Sequence, residues 1–293
     1  MRFTFSNGFL QATAQAEGGE LVSLRDSAGT EYIWSGDPAF WPGRNPILFP
    51  IVGNLRNGQV DFGEAPYRMS RHGFARDSLF TLTEQGNNHV LLELRETPET
   101  LRRYPFRFRL QVRHQLLENG FSTTFTVENA GVIPMPFCIG AHTAIRCPLR
   151  EGEAFTDYQL VFDQSENAAT LLLTPEGLLH HDRTEPILAG SRCLPLDYEV
   201  FRRLDTIIFR QLRSQGVSLL HRGTGRGIRL DFHEFPMVAF WTKPGAPFLC
   251  MEPWHGCAAL ENESGHFQEK PFFINLQPRQ QKELTYSFYL IEK

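Results

Sequence analysis

Between residues 106 and 127 the chain alternates with a period of two, and no other stretch restricts the fold as strongly. Phe106, Phe108, Leu110 and Val112 interleave with Arg107, Arg109, Gln111 and Arg113. The chain then turns at Glu118-Asn119-Gly120, and Phe121, Thr123, Phe125 and Val127 return. A period of two puts every apolar side chain on one face of a strand and every polar one on the other. The segment is therefore expected to form an antiparallel hairpin in a sheet that is wet on one side.

The rest of the chain reads the same way. Residues 1–35 alternate in short runs broken by Asn7-Gly8, Gly18-Gly19 and Ser27-Ala28-Gly29, the spacing of a β-meander. Trp34 and Trp41 bracket a Gly-Asp-Pro turn. The run Gly43 to Asn54, with Arg44 at its entrance, has a buried-strand composition with two prolines, which places it at a sheet edge or in an irregular buried connection. Thr97-Pro98-Glu99-Thr100 carries the cap and first-turn proline of a short helix. Further strands are expected near 158–163, 206–212, 217–221, 238–241, 248–251 (with Glu252 ending that strand) and 284–290. The 25 Phe residues favour strands and wide sheet cores. The expected fold is all-β, one domain over residues 1–293, a sandwich or barrel with few short helices.

Charge and cysteine usage narrow the function. A net charge of -4 gives no electrostatic footprint for nucleic acid or an anionic membrane, so small molecules are the expected partners. Five cysteines without a CxxC pair argue against a disulfide framework and a zinc ribbon, and suit a reducing cytosol. The N-terminus MRFTFSNGFL is polar where a signal peptide needs an apolar run, and no apolar stretch reaches the ~18 residues that span a bilayer. A cytoplasmic protein is expected.

Three groups could do chemistry. Arg71-His72-Gly73-Phe74-Ala75-Arg76-Asp77 packs an imidazole, two guanidiniums and a carboxylate into a segment unsuited to helix or strand, so it reads as an ordered connection presenting polar groups. A solvated surface loop is the equal alternative. His142 lies within the apolar run 138–145, where a satisfied core histidine is the simpler reading. Glu252 follows Phe-Leu-Cys-Met; burial there should raise its pKa from ~4.3 towards neutrality, as a general base requires. Two His and a carboxylate also match the composition of a facial-triad metal site, but their separation in sequence lacks its tight pair.

Taken together, Glu31-Tyr32-Ile33-Trp34, Arg44 to Gly53, His72 to Asp77, Gly140-Ala141-His142 and Cys250 to Trp254 resemble the aldose 1-epimerase (galactose mutarotase-like) family, especially the branch found in bacterial lactose operons. The matching stretches keep the family's order, nearly end to end. The resemblance implies a large antiparallel β-sandwich (the galactose mutarotase-like supersandwich) holding a monosaccharide. It implies that Glu252 removes the proton from the anomeric hydroxyl, that His142 protonates the ring oxygen, and that His72 positions the sugar. It further implies a sugar contact from Asp205, for which a turn or cap role is the alternative; Arg44 is a candidate for sugar hydroxyls, and Arg76 either binds substrate at the cleft rim or braces its loop against Asp77 or another carboxylate. Asn54 stands where relatives often carry arginine, which puts one sugar contact in doubt.

The chemistry fits these residue types. Anomer exchange needs a base at O1 and an acid at O5, then the two roles reversed on reclosure, with no redox step. Neither cofactor nor metal is expected. Two alternatives accompany the mutarotase reading: an epimerase of hexose 6-phosphates, since Arg44, Arg71 and Arg76 cluster in sequence and arginine forks suit phosphate, and a non-catalytic carbohydrate-binding protein. Phe74, Trp241 and Trp254 could stack on a pyranose or be core, and His255 reads as an exposed turn residue. The chain is expected to be a monomer or homodimer. Glu252, His142 and His72 are expected to converge in one open cleft.

Overall fold

The computed structural model describes residues 1–63 and 65–292, and the alternating segment forms two of its longer strands, Phe108–Leu117 and Gly120–Asn129. Burial alternates residue by residue along both, and the register sets Val112 against Phe125 and Leu116 against Phe121. Gly120 is required by close approach, because a Cβ there would lie 1.9 Å from the carbonyl oxygen of Phe288 on the next strand.

This hairpin belongs to an antiparallel sheet of nine strands. Their spatial order is Leu179–Pro195, Tyr158–Leu173, Gly216–His221, Gly227–Asp231, Gln281–Ile291, Gly120–Asn129, Phe108–Leu117, His89–Arg95 and Thr81–Gln85. A six-stranded sheet lies against it, built on the path Thr206–Arg210, Met237–Trp241, Phe248–His255, Ile139–Ala141 and Ile47–Leu48, with Thr143–Arg146 also paired to Phe248–His255. Aromatic rings cross between the two layers: Phe162 meets Phe209 at 5.9 Å and Phe240 at 6.1 Å, and Phe108 meets Phe49 at 5.1 Å. The core fills this gap, and the outer face of the nine-stranded sheet carries Arg109, Gln111 and Arg113. The architecture is the large antiparallel sandwich that the alternation implies.

The smaller expectations fare unevenly. The N-terminal meander is present as Arg2–Ser6, Leu10–Gln15 and Leu21–Asp26, and Ile47–Leu48 is an edge strand. Helix Pro98–Leu101 starts at Thr97, whose side chain accepts from Thr100 N in a capping box. Helix Tyr198–Leu204 was not expected. The strand expected near 158–163 runs on to Leu173 and pairs with Leu179–Pro195 in a long ribbon. The strand expected to end at Glu252 continues to His255. Among the described residues no helix is long and apolar enough to cross a membrane.

Candidate active site

The six-stranded sheet has two different faces. Leu249, Met251, Ile145 and Phe240 point into the main core, while Phe248, Cys250, Ala144 and Trp34 form a second cluster with Phe40, Trp41 and Trp241 against it. His142 and Glu252 lie on this second face. The pairs Gly140↔Trp254 and Thr143↔Met251 set the register on either side of them, so His142 stands directly across from Glu252. The ladder breaks between those pairs because Pro253 has no N–H to give. The amide of His142 turns to the other neighbour and donates to Pro46 O at 3.1 Å. Cross-strand neighbours on one face meet side chain to side chain, and His142 Nε2 lies 3.4 Å from Glu252 Oε2. Gly140 leaves the space that the Trp254 indole fills, since a Cβ would come within 2.7 Å of it.

His72 reaches the same place from an irregular segment. Its φ is +69°, left-handed for a residue with a side chain, and Gly73 follows at +76°. A Cβ on Gly73 would lie 2.2 Å from Phe49 O, so the two segments run in contact. A left-handed His costs on the order of 1–2 kcal/mol and is held by its surroundings: His72 N donates to Gly53 O at 2.9 Å, and Phe49 N donates to His72 O at 3.3 Å. The His72 and His142 rings meet edge to face at 5.7 Å.

Two donors aim at the His72 ring, Gly53 N–H at Nδ1 (3.0 Å) and Arg71 Nε–H at Nε2 (3.1 Å). A neutral imidazole has one acceptor nitrogen. The backbone amide is fixed and the arginine is not, so Nδ1 is the acceptor and Nε2 holds a proton to offer to a ligand oxygen.

Electrostatics separates the pair. Burial pushes the Glu252 carboxyl well above the usual range; the Arg71 guanidinium and the Trp254 indole oppose this, and the Asp205 charge adds to it. Burial, reinforced by Arg71 and Arg76, lowers His142 to about 3. The two shifts run in opposite directions, so burial favours a neutral carboxyl beside a neutral imidazole. His72 is also held well below its ordinary value, chiefly by burial and then by His142 and the two arginines.

The site is not the expected open cleft. Relative exposure is 3% at His72, 7% at His142 and 1% at Glu252. Among the described residues, four buried polar atoms have no hydrogen-bond partner: His142 Nδ1, both Glu252 oxygens and Trp254 Nε1. The Trp254 N–H is close enough to favour the carboxylate but does not bond to it in this geometry.

The other expected residues are spread around this centre. Asp205 is exposed, caps helix Tyr198–Leu204 with φ +60° and accepts from Thr206 Oγ1 at 2.9 Å, while its charge still reaches Glu252. Arg76 lies on the turn after His72 and acts on His142 by charge; its guanidinium makes no hydrogen bond or ion pair among the described residues. Arg44 is turned away: its Nε donates to Ser35 O at 2.7 Å, and it lines a separate cleft of about 300 Å³ with Arg2, Gln11 and Glu31. Asn54 Nδ2 donates to Glu176 O at 2.9 Å and ties down the turn of the long ribbon. His255 is on a strand rather than an exposed turn, and its Nδ1 meets Phe272 O at 2.6 Å. Phe74 is core.

Sequence reasoning missed the place of Trp41, which stacks on His142 with centroids 4.9 Å apart; its only signal was its closeness to the Arg44 segment. Arg71, named only as a possible phosphate ligand, lies against His72. The groups that could hold a metal here are His142, Cys250 and Glu252, whose ligand atoms lie within 4.8 Å of one another. A thiol binds metal as thiolate, and burial beside Glu252 pushes the Cys250 thiol well up. The trio therefore suits proton handling better than metal binding.

Residues 1–288 match the family model for aldose 1-epimerase. The chain belongs to the aldose 1-epimerase family. It is 36% identical to the plasmid-encoded protein LacX of Lactococcus lactis subsp. lactis, over 99% of this chain and 100% of that one. Among solved structures it is similar to a galactose mutarotase related enzyme from Lactobacillus acidophilus (TM-score 0.94, 25% identity, 100% of this chain and 98% of that one). A galactose mutarotase-like protein from Lactobacillus casei is similarly close (TM-score 0.92, 29% identity, 99% of this chain and 100% of that one).

Proposed function

We infer that this protein interconverts the α and β anomers of a monosaccharide by acid/base ring opening, with Glu252 and His142 as the reacting pair. The observation that carries the reading is their placement across one ladder, 3.4 Å apart, buried, with no partner among the described residues on either carboxylate oxygen or on His142 Nδ1. Ring opening needs a base at O1 and an acid at O5 on one sugar, and a cross-strand carboxylate and imidazole sharing one proton supply both. In the closed site burial favours the proton on Glu252. A bound sugar brings hydroxyl donors to the carboxylate, and Arg71 favours its charge, so the proton passes to His142 and the pair becomes base and acid. Glu252 then takes the O1 proton while His142 protonates O5. After rotation about C1–C2 the roles reverse. His72, its tautomer set by Gly53 N–H, donates from Nε2 to a sugar oxygen.

A phosphorylated sugar is the second reading. Arg71 and Arg76 both act on the site by charge, and neither pairs with a carboxylate among the described residues. Two guanidiniums not committed to a carboxylate suit a phosphate. Polarimetry or NMR saturation exchange across a panel of free and phosphorylated aldoses tests both. Enzyme-accelerated exchange of a free aldose supports the first reading, acceleration restricted to the 6-phosphate supports the second, and no acceleration for any sugar contradicts both.

A further inference from the structure

Trp41 is one of the partly exposed rings of the pile that packs on His142. Its indole lies over His142 at 4.9 Å and 31°, meets Trp241 edge to face at 5.3 Å, and tilts on Phe248 at 5.7 Å. It is itself partly exposed, whereas His142 and Glu252 beneath it are buried. The backbone that carries it is pinned: Trp41 N donates to Asp37 O at 2.9 Å, and Trp34 Nε1 donates to Trp41 O at 2.8 Å. Its indole N–H makes no hydrogen bond among the described residues, so rings alone hold the side chain. Gly43 gives it room, because a Cβ there would stand 2.4 Å from the indole.

The four orphaned polar atoms make this closed arrangement costly. A buried polar group without a partner costs about 1–3 kcal/mol, and more when charged. A sugar can reach those atoms only when the site opens, and Trp41, partly exposed and held by ring contacts without a side-chain hydrogen bond among the described residues, can turn aside about its side-chain bonds.

We propose that Trp41 is a swinging aromatic gate: it closes over His142 and Glu252 in the sugar-free protein, turns aside to admit the sugar, and then packs against the apolar face of the pyranose. The seal rests on geometry alone; the packing against sugar rests on the reading of Glu252 and His142 as the reacting pair. Gly43 is the hinge space that lets the indole lie flat.

Diethyl pyrocarbonate, which modifies neutral imidazoles that it can reach, tests the seal without any sugar, with peptide mapping to separate the histidines. In the wild-type protein His142 is expected to react at least about tenfold more slowly than the exposed His233. Trp41→Ala should bring the two rates within a factor of about three, and Trp41→Phe should fall between, with thermal melts showing that both variants fold. A fast His142 in the wild type, or a protected one in both variants, would overturn the gate. Steady-state anomer exchange tests the second half: Trp41→Ala should raise KM about tenfold with kcat within about threefold. An unchanged KM would overturn the platform. If Glu252→Gln left turnover intact, the reacting pair would fall while the modification rates still reported on the seal.

Discussion

His114 and His142 are both buried on antiparallel strands, and they are treated in opposite ways. His114 takes an inward position of the central hairpin; its Nδ1 meets Thr123 Oγ1 at 2.9 Å and its Nε2 meets Gly19 O at 2.8 Å. A carbonyl can only accept, so Nε2 donates to Gly19 and Nδ1 accepts from the Thr123 hydroxyl. Every polar atom of that ring is paired. His142 has an unpartnered Nδ1 and faces a carboxylate with no partner of its own. Burial lowers both rings, His114 to about 4 and His142 to about 3. Depth and pKa therefore do not distinguish a structural histidine from one available for chemistry. The hydrogen bonds left unmade do.

Exchanging the roles of the two rings is the strongest way to break this comparison. His142→Gln should lower anomer exchange by about 10²–10⁴-fold, the range for a lost general acid, with a melting temperature near that of wild type. His114→Ala should leave turnover per folded molecule intact and destabilise the protein by about 2–4 kcal/mol in urea unfolding, since it opens a cavity and strands both Thr123 and the Gly19 carbonyl. Stability loss in the first variant or activity loss in the second would erase the distinction.

The acid limb of stability sharpens it. A folded-state value of about 4 at His114, against 6.5 unfolded, means that the unfolded chain binds more protons between these values. Stability therefore rises with pH across that window and is lost as pH falls through it. The shift is worth up to about 3 kcal/mol. His114→Gln should flatten this limb between pH 4 and 6.5, measured by urea unfolding at several pH values. A limb unchanged by the substitution would contradict the assignment.

The smallest effect belongs to the rim. Arg76→Ala should raise KM for a free aldose by less than about threefold, because its guanidinium acts on the pair only at a distance. A loss of tenfold or more confined to a 6-phosphate would move the substrate to the phosphorylated class.

How far the sequence carried differs from place to place. The hairpin was legible because burial on one side leaves a period of two, and the first helix because Thr97 and Pro98 mark its start. The ribbon Tyr158–Leu173 with Leu179–Pro195 was largely illegible: register shifts at Val161/Glu166, Glu166/Asn167 and Ala168/Ala169 break the alternation that a reader would follow. The strand past Glu252 was misjudged because Pro253 looks like a stop, although it interrupts only the pairing toward Ile139–Ala141, while the pairing with Met237–Trp241 runs on to Trp254. His72, His142 and Glu252 were singled out because each interrupts an apolar pattern, yet the packing of Trp41 on His142 is a tertiary contact that carries no local signature. Arg44 was placed at the sugar because it leads the Arg44 to Gly53 segment, but its side chain is held by the Ser35 carbonyl.

Glu252→Gln tests the central claim most directly. The amide keeps the shape and cannot take the O1 proton. NMR saturation exchange between the anomers of a bound-and-released aldose, run beside a binding isotherm for the same sugar, reads both halves. The account predicts turnover lower by about 10²–10⁴-fold with the affinity changed by less than about fivefold. Turnover equal to wild type would place the base elsewhere and contradict the reading of the His142–Glu252 pair.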